Sequence, residues 1–454
     1  MDLTSHQKEK LLELITLINN KTPYINLIGS AGVGKTTLIS KLLVNKELIP
    51  NIKTVLIATP THKALEVIKD KIENNNLITI NKEFKTIQKH LNVVQVFDTE
   101  GKTLFKRNVL KKINNYDLII IDESSMIDSY LHKEITENKH YNTIIIFVSD
   151  IKQLNPVGEI ISEIYNQNYP EVKLTEIVRQ GKGNPIIELS NNINSFKTKN
   201  ITNYNITSKE GIIYEKNLNK IINILAKVNG SNEYKYLAWT NVKVRYINNK
   251  VRSIIYNNPN PDIIYPNETL ILRNPLDNIN TNSEVKVLDI TKGHSDSLIE
   301  YIKNTLFKYL VFDTSRIKIH SKSKFPDIFN ELKKLPSFSL YYCTIKKTNS
   351  KSNITETMLV LNPEDDKKWN AMKKLLIEHL KPKKEWGMID KINNLFTKYN
   401  YNHALTIHTS QGSTFKNVFI DKQDILRNNN KSELDKLIYT AITRASHSCI
   451  IYNN

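Results

Sequence analysis

The residues best able to do chemistry lie in a glycine-rich segment near the start of the chain. The spacing G-x-x-x-x-G-K-[ST] occurs there as Gly29-Ser-Ala-Gly-Val-Gly34-Lys35-Thr36, between a short apolar run and a helical pattern. Its glycines let backbone N–H groups face phosphates, and the positive end of the following helix strengthens that field. Lys35 adds a point charge, and the Thr36 hydroxyl can bind Mg²⁺. The segment predicts a site for the phosphates of a nucleotide.

Polar side chains that follow two apolar runs add the means of hydrolysis. Asp122 and Glu123 come directly after residues 118–121, and Gln153 follows residues 143–148. Because parallel sheets bind ligands beyond the carboxyl ends of their strands, we expect these side chains beside the phosphate loop. There Asp122 would hold Mg²⁺, Glu123 would polarise the attacking water, and Gln153 would sense the γ-phosphate. A loop that only caps a strand is the alternative interpretation of the Gln153 segment.

Two arginines could neutralise the transferred phosphoryl group. Arg179 and Arg444 each carry a fixed planar fork of donors. Either residue alone would more often lie on a protein surface. Together with the groups above they predict nucleotide hydrolysis, without indicating its purpose.

The elements that must position these groups alternate between strands and helices. Apolar runs separated by helical patterns are typical of a parallel sheet with helices on both faces. A second such unit begins near Leu189, and the two α/β units are predicted at residues 1–85 with 108–188 and 189–260 with 392–454. A β-hairpin interrupts the first at 86–107, and a β-rich domain interrupts the second at 261–391.

The composition limits the classes of protein to which the chain can belong. Lys and Arg total 64 against 46 for Asp and Glu, a formal net charge of +18 over 454 residues. This excess indicates a polyanionic partner such as nucleic acid, or else a lysine-rich surface that an AT-rich genome would encode. The apolar runs are too short to span a membrane, and residues 1–10 have no signal-peptide core. With Cys343 and Cys449 alone, a disulfide framework is excluded, so we expect a cytoplasmic or nucleoid-associated protein.

The order of the motifs resembles that of the superfamily-one helicases, in particular the RecD/Dda-like branch, whose members move five-prime to three-prime on DNA. The resemblance covers nearly the whole chain, through motifs at residues 3–8, 29–37, 58–64, 86–88, 121–123, 149–153, 174–179, 238–241, 406–412 and 439–445. The last two motifs are the most specific. The resemblance implies two RecA-like P-loop domains, with a strand-separating hairpin in the first and an SH3-like insertion in the second.

The resemblance also implies roles for matching positions, with ATP and Mg²⁺ as cofactors. Gln7 would read adenine, and the rest of the nucleotide site would be Gly29, Ala31, Gly32, Val33, Gly34, Lys35, Thr36, Thr37 and Gly412. The catalytic residues would be Lys35, Glu123, Gln153, Arg179 and Arg444, with Mg²⁺ on Thr36 and Asp122. The nucleic-acid contacts would be Pro60, Thr61, His62, Thr86, Gln88, Phe105, Thr240, Asn241, Thr406 and His408. Gln88 stands where the family usually has His, and Phe105 could stack at a DNA fork or pack the hairpin onto the sheet.

The implied activity is that of an ATP-dependent DNA helicase in replication, recombination or repair, acting as a monomer on single-stranded and forked duplex DNA. A single-strand-binding protein or a polymerase would be a further partner. Because phosphate contacts do not read the sugar, an RNA helicase or RNP remodeller stays open. A nucleotide-dependent switch that binds nucleic acid without unwinding it is the second alternative.

Overall fold

The computed structural model describes residues 3–75, 77–98, 100, 102–156, 158–176, 184–198, 211–229, 233–261, 263–293, 339–348 and 353–453. The chain forms two compact units. The larger comprises Met1–Val94, Arg107–Pro259 and His403–Asn454, and the smaller comprises Gln95–Lys106 and Asn260–Asn402. In the described ranges, no helix has both the length and the apolar composition that a membrane span requires.

The secondary structure follows the predicted alternation. The helices are α1 (Ser5–Asn19), α2 (Lys35–Val44), α3 (His62–Glu73), α4 (Ile87–His90), α5 (Ser129–Asn138), α6 (Pro185–Asn191), α7 (Ile193–Thr198), α8 (Leu218–Lys227), α9 (Asn241–Ile255), α10 (Asp366–Leu380), α11 (Trp386–Asn393), α12 (Lys422–Leu426) and α13 (Lys431–Thr443). The strands are β1 (Tyr24–Gly29), β2 (Thr54–Thr59), β3 (Asn81–Thr86), β4 (Val93–Phe97), β5 (Thr103–Arg107), β6 (Leu118–Ile121), β7 (Ile144–Ser149), β8 (Glu171–Leu174), β9 (Gly211–Glu215), β10 (Tyr234–Ala238), β11 (Thr269–Leu272), β12 (Glu284–Gly293), β13 (Leu340–Lys347), β14 (Thr355–Leu361), β15 (Tyr399–Tyr401), β16 (Ala404–Thr406), β17 (Phe415–Asp421) and β18 (Ala445–Tyr452).

The first half of the larger unit is a parallel sheet with α1 to α5. Within the described ranges its strand order is β3-β2-β6-β7-β1-β8. Alternate strand residues enter opposite cores: Ile120 and Ile146 pack on the side of α1 to α3, and Ile119 and Ile145 pack on the side of α5. Burial on both faces explains why the sequences of these strands are continuous apolar runs.

The second half of the larger unit is another parallel sheet, with helices α6 to α9, α12 and α13. Its described strands have the order β16-β10-β17-β18-β9. The apolar face of α8 and α9 packs on it through Ile221, Leu225 and Ile247. Strand β10 ends at Ala238, because Thr240 already caps α9. The two parallel sheets confirm the predicted α/β class.

The smaller unit contains an antiparallel sheet and most of the hairpin, residues 95–106. The described sheet has the order β14-β13-β12-β11-β15, and Trp369, Met372 and Leu376 of α10 pack with Leu340 and other apolar residues of its face. Because β15 pairs with β11, the β-rich domain reaches residue 402, and the boundary predicted at 391 is wrong. Its likeness to an SH3 fold stays a prediction.

The predicted hairpin is present as β4 and β5, which pair with each other. Asp98 accepts hydrogen bonds from the N–H groups of Glu100 and Lys102 at the turn, at 2.9 and 2.8 Å. Thr99 and Gly101, which also lie between the two strands, are outside the described residues.

Candidate nucleotide and nucleic-acid site

The phosphate loop joins β1 to α2 at the carboxyl edge of the first sheet. Gly34 has a φ of 89°, in the left-handed region, and a Cβ at this position would collide with the amide of Gln7. Gly29 packs so tightly that a Cβ would lie 2.9 Å from the carbonyl oxygen of Leu174. The Val33 side chain is buried in the core, so its predicted part in the site is limited to its backbone.

Gln7 is held by a capping box at the start of α1. Its Oε1 accepts from the Thr4 N–H at 3.1 Å, its own N–H donates to Thr4 Oγ1 at 3.2 Å, and its Nε2 donates to the Val33 carbonyl at 2.9 Å. An amide has two N–H groups and two lone pairs on oxygen. Each end of the Gln7 amide therefore keeps one hydrogen-bonding position for the edge of a base.

A cavity of about 360 Å³ lies between the two halves of the larger unit. The predicted residues on its wall are Gln7, Ala31, Gly32, Gly34, Lys35, Thr36, Thr37, Asp122, Glu123 and Gln153 from the first half, and Gly412 and Arg444 from the second. Gly29 and Val33 are not on the wall, and Arg179 lies outside the described residues. Lys71, which no sequence motif indicated, also lines the cavity from α3, one turn beyond Ile68. A larger groove, of about 570 Å³ beside Lys69 and Phe84, carries none of the predicted site residues.

Lys35 lies across the mouth of the loop. Its ammonium donates to the carbonyl oxygens of Gly29 at 2.6 Å and Ser30 at 3.2 Å. An ammonium has three N–H donors, so one remains for a phosphate oxygen in this geometry. The loop carbonyls thus aim the charge of Lys35 into the cavity.

Both carboxylates have raised pKa values, and Glu123 also has an unusual backbone conformation. Glu123 adopts φ 54° and ψ 36°, a left-handed conformation that costs a non-glycine residue energy and often marks a functional site. Its N–H donates to Asp122 Oδ1 at 2.9 Å. Burial raises the pKa of Asp122, and burial together with the charge of Asp122 raises the pKa of Glu123. A carboxylate with a raised pKa is a better general base.

The donors on the cavity wall fit Mg²⁺ and an attacking water. Mg²⁺ usually takes one or two protein oxygens and completes its shell with phosphate and water. Thr36 and Asp122 form such a pair on the wall. In the described part of the chain, the buried Oε1 of Gln153 has no hydrogen-bond partner, so it is free to accept from a water.

Arg444 directly follows α13 and brings positive charge from the second half. Its Nη1 donates to the Ser413 carbonyl at 3.0 Å, and its Nε donates to the Thr440 carbonyl at 3.2 Å. The charge of Arg444 also opposes the rise in the pKa of Glu123. The guanidinium and the carboxylate therefore interact although they belong to different halves.

Several residues predicted to contact nucleic acid serve as helix caps. The side-chain oxygens of Thr61, Thr86 and Thr240 accept backbone N–H groups at the starts of α3, α4 and α9, at 3.2 to 3.3 Å. Thr86 is only 4% exposed, which leaves its hydroxyl little surface for a partner. The structure therefore gives these threonines a positioning role that the sequence analysis did not predict.

The other predicted contacts lie near strand ends or on the hairpin. Parallel pairing of β10 with β16 places Ala238 opposite Thr406, so Thr240 and Asn241 follow β10 at the same edge of the sheet where Thr406 ends β16. Thr406 Oγ1 lies 2.9 Å from Thr409 Oγ1, and the exposed His408 lies 3.5 Å from Glu433. Asn241 is exposed, and Pro60, His62 and Gln88 are half-buried. Phe105, on β5, is 61% exposed and so presents its ring to solvent.

Asp424 is a buried residue that the sequence analysis missed. Its carboxylate accepts from the N–H of Trp239, the N–H of Thr240 and the Thr240 hydroxyl, each at 2.8 Å. It thereby fixes the segment that carries Thr240 and Asn241. No local pattern signals this contact, because Asp424 lies 184 residues from Thr240.

We expect Asp424→Asn to lower both the thermal stability and the affinity for single-stranded DNA. The amide would turn an N–H toward one of three donors, and an unsatisfied buried donor costs about 1–3 kcal/mol. Melting curves and fluorescence anisotropy with a labelled strand measure the two effects. Asp70→Asn, an exposed change in α3, is the control. A loss of stability without a loss of DNA affinity would show that Asp424 does not position a segment that binds the strand.

Known proteins resemble this chain over most of its length. Residues 3–216 match the family model of an AAA domain, and residues 401–452 match that of a UvrD-like helicase C-terminal domain. The uncharacterized protein R530 of Acanthamoeba polyphaga mimivirus is 29% identical over 484 residues, 96% of each chain. The RecBCD enzyme subunit RecD of Buchnera aphidicola subsp. Schizaphis graminum is 27% identical, over 99% of this chain and 73% of that one. The ATP-dependent DNA helicase dda of Enterobacteria phage T4 is 26% identical, over 61% of this chain and 62% of that one.

The two parallel sheets, the phosphate loop and the shared cavity give the chain the organisation expected of a P-loop protein with two α/β domains. The RecD and dda relatives and the two family models agree with the resemblance predicted from the motifs. The chain is therefore similar to helicases of the RecD/Dda-like branch of superfamily one in both of its halves.

Proposed function

We propose that this protein is an ATP-dependent DNA helicase that moves five-prime to three-prime along a single strand and unwinds duplex DNA. The observation that carries the proposal is the cavity whose wall both halves share. The first half brings the phosphate loop and the carboxylates, and the second half brings Arg444. Because hydrolysis needs both, closing of the halves accompanies ATP binding, and opening follows hydrolysis.

The cavity residues divide the chemistry among themselves. Lys35 and the loop N–H groups hold the phosphates, and Thr36 and Asp122 would hold Mg²⁺, which neutralises charge on the transferred group when bound. Glu123 accepts a proton from the water that Gln153 orients. Arg444 stabilises the transition state from the second half, and Arg179 is the second arginine that the family resemblance supplies.

The nucleic-acid track is proposed to cross both halves at the strand ends. Thr61 and His62 would hold the strand on the first half, and Asn241, Thr406 and His408 would hold it on the second. Polar side chains of this kind suit phosphate contacts, which position a strand without reading its sequence. The net charge of +18 supports a polyanionic partner, and the names of the RecD and dda relatives support DNA.

Hydrolysis is expected to be stimulated by single-stranded DNA, and unwinding is expected only on forks with a five-prime tail. Steady-state ATPase assays and gel-resolved unwinding of forks with a single tail measure these properties. A fork that carries only a three-prime tail is the matched control. Unwinding from the three-prime tail alone would contradict the proposed polarity.

The same assays separate the two alternative functions. Preferential unwinding of RNA forks would indicate an RNA helicase or RNP remodeller. Hydrolysis stimulated by a strand, without unwinding of any fork, would indicate a nucleotide-dependent switch. The proposal includes action as a monomer inside the cell, with a single-strand-binding protein or a polymerase as candidate partner.

A further inference from the structure

The Tyr439 hydroxyl makes contacts that none of the roles above explains. Tyr439 lies in α13 of the second half and is 1% exposed. Its Oη accepts a hydrogen bond from the Ala31 N–H at 3.0 Å and donates to Asp150 Oδ2 at 2.9 Å. Both partners belong to the first half. One hydroxyl therefore joins two loops of the first half to a helix of the second.

Both partners of Tyr439 lie beside the proposed chemistry. Ala31 is in the middle of the phosphate loop, whose N–H groups face the phosphates of a bound nucleotide. Asp150 Oδ2 also accepts from Gln153 Nε2, at 3.4 Å. The same carboxylate oxygen thus touches the amide that orients water and the hydroxyl that comes from the other half.

The helix that carries Tyr439 also determines where Arg444 lies. Arg444 caps α13 five residues after Tyr439, a rise of about 7.5 Å along a helix axis. One turn before Tyr439, the Lys436 ammonium donates to Asn155 Oδ1, in the loop that follows Gln153. Since a helix moves as a stiff rod, the contacts of Tyr439 with Asp150 and of Lys436 with Asn155, on either side of Gln153, set the distance between Arg444 and Gln153.

The environment keeps the hydroxyl in its donating form. Burial raises the pKa of Tyr439, and the charge of Asp150 adds to the rise. The phenol therefore stays protonated and donates to Asp150 while its lone pair accepts from Ala31.

We propose that Tyr439 is a positioning residue that holds Arg444 and Gln153 at the relative positions that hydrolysis of the nucleotide requires. The inference rests on the proposed ATP hydrolysis. When a bound phosphate accepts the hydrogen bond of the Ala31 N–H, Tyr439 loses that contact. Its hydrogen bond to Asp150 then keeps the second half aligned with the first. The hydroxyl thus competes with the nucleotide in the ground state and supports the arrangement that hydrolysis needs.

Tyr439→Phe in the full-length chain tests this role, because it removes the hydroxyl and keeps the ring. The kcat of strand-stimulated ATPase is expected to fall roughly ten- to a hundredfold, as misplaced catalytic groups do. The KM for ATP and the Kd of a non-hydrolysable ATP analogue should stay unchanged or decrease, because the Ala31 N–H is no longer shared. Tyr236→Phe is the matched control, since that buried hydroxyl donates to Asp421 at 2.7 Å within the second half.

The expected result is a large fall in kcat for Tyr439→Phe and little change in kcat for Tyr236→Phe, at similar melting temperatures. Asp150→Ala should cause a similar loss, and the double variant should fall no further than the worse single one, as expected for two groups joined by one bond. Wild-type kcat in Tyr439→Phe, an equal loss in Tyr236→Phe, or an increased Kd for the analogue would overturn the inference. A wild-type protein without strand-stimulated hydrolysis would instead overturn the proposed function and the inference with it.

Discussion

Replacing Lys35 with alanine is expected to reduce strand-stimulated ATPase activity on the order of a thousandfold or more. The ammonium of Lys35 lies over the phosphate loop, where it contacts the carbonyl oxygens of Gly29 and Ser30. Without it, negative charge on the transferred phosphoryl group loses its neighbouring cation on the loop. The fold should survive, because Lys35 begins α2 and alanine is a strong helix former. Phosphate release measures the rate, and circular dichroism measures the fold.

A control substitution on the same helix distinguishes an effect on the phosphate site from an effect on the helix itself. Lys41 lies in the last turn of α2, and Lys41→Ala should hydrolyse ATP at close to the wild-type rate. Nucleotide binding by Lys35→Ala, measured by fluorescence titration, should be weaker than that of Lys41→Ala. Full turnover by Lys35→Ala would overturn the assignment of the phosphate loop as the catalytic site.

Glu123→Gln is expected to lower kcat about 10²- to 10⁴-fold while ATP still binds, which is the range for loss of a general base. Glutamine has nearly the shape of glutamate but cannot accept the proton of the attacking water. The backbone N–H that donates to Asp122 is unchanged, so the geometry beside the metal site should persist. Single-turnover hydrolysis and binding of a non-hydrolysable analogue separate the two properties. Glu137→Gln, an exposed change in α5, is the control and should leave both unchanged.

The pH dependence of hydrolysis provides a second test of Glu123. Burial and the charge of Asp122 raise the pKa of Glu123, so its carboxylate is protonated at a higher pH than an exposed glutamate would be. Because only the deprotonated form accepts a proton, the single-turnover rate should fall on acidification while exposed carboxylates are still ionised. Glu123→Gln should lose this dependence. A wild-type profile that is flat until exposed carboxylates titrate would show that Glu123 is not the base.

Local spacing in the sequence determined the phosphate loop, the buried strands and the order of the motifs. The helical pattern predicted after the phosphate loop is the helix Lys35–Val44, whose start is dictated by the loop before it. The parallel strands were predictable because burial on both faces requires continuous apolar runs. Residues within one motif interact through the adjacent backbone, so their chemistry can be inferred without the rest of the chain.

Only the tertiary structure decided which partners these residues have. It paired β15 with β11, and it placed the hydroxyl of Thr240 where it donates a hydrogen bond to Asp424, 184 residues away. It also brought Tyr439 to Ala31 across 408 residues. A hydrogen bond between distant segments leaves no periodic pattern in either segment, because it depends on how the two halves pack. The sequence therefore predicted the candidate catalytic groups, and the packing of the two halves decided which of them line the same cavity.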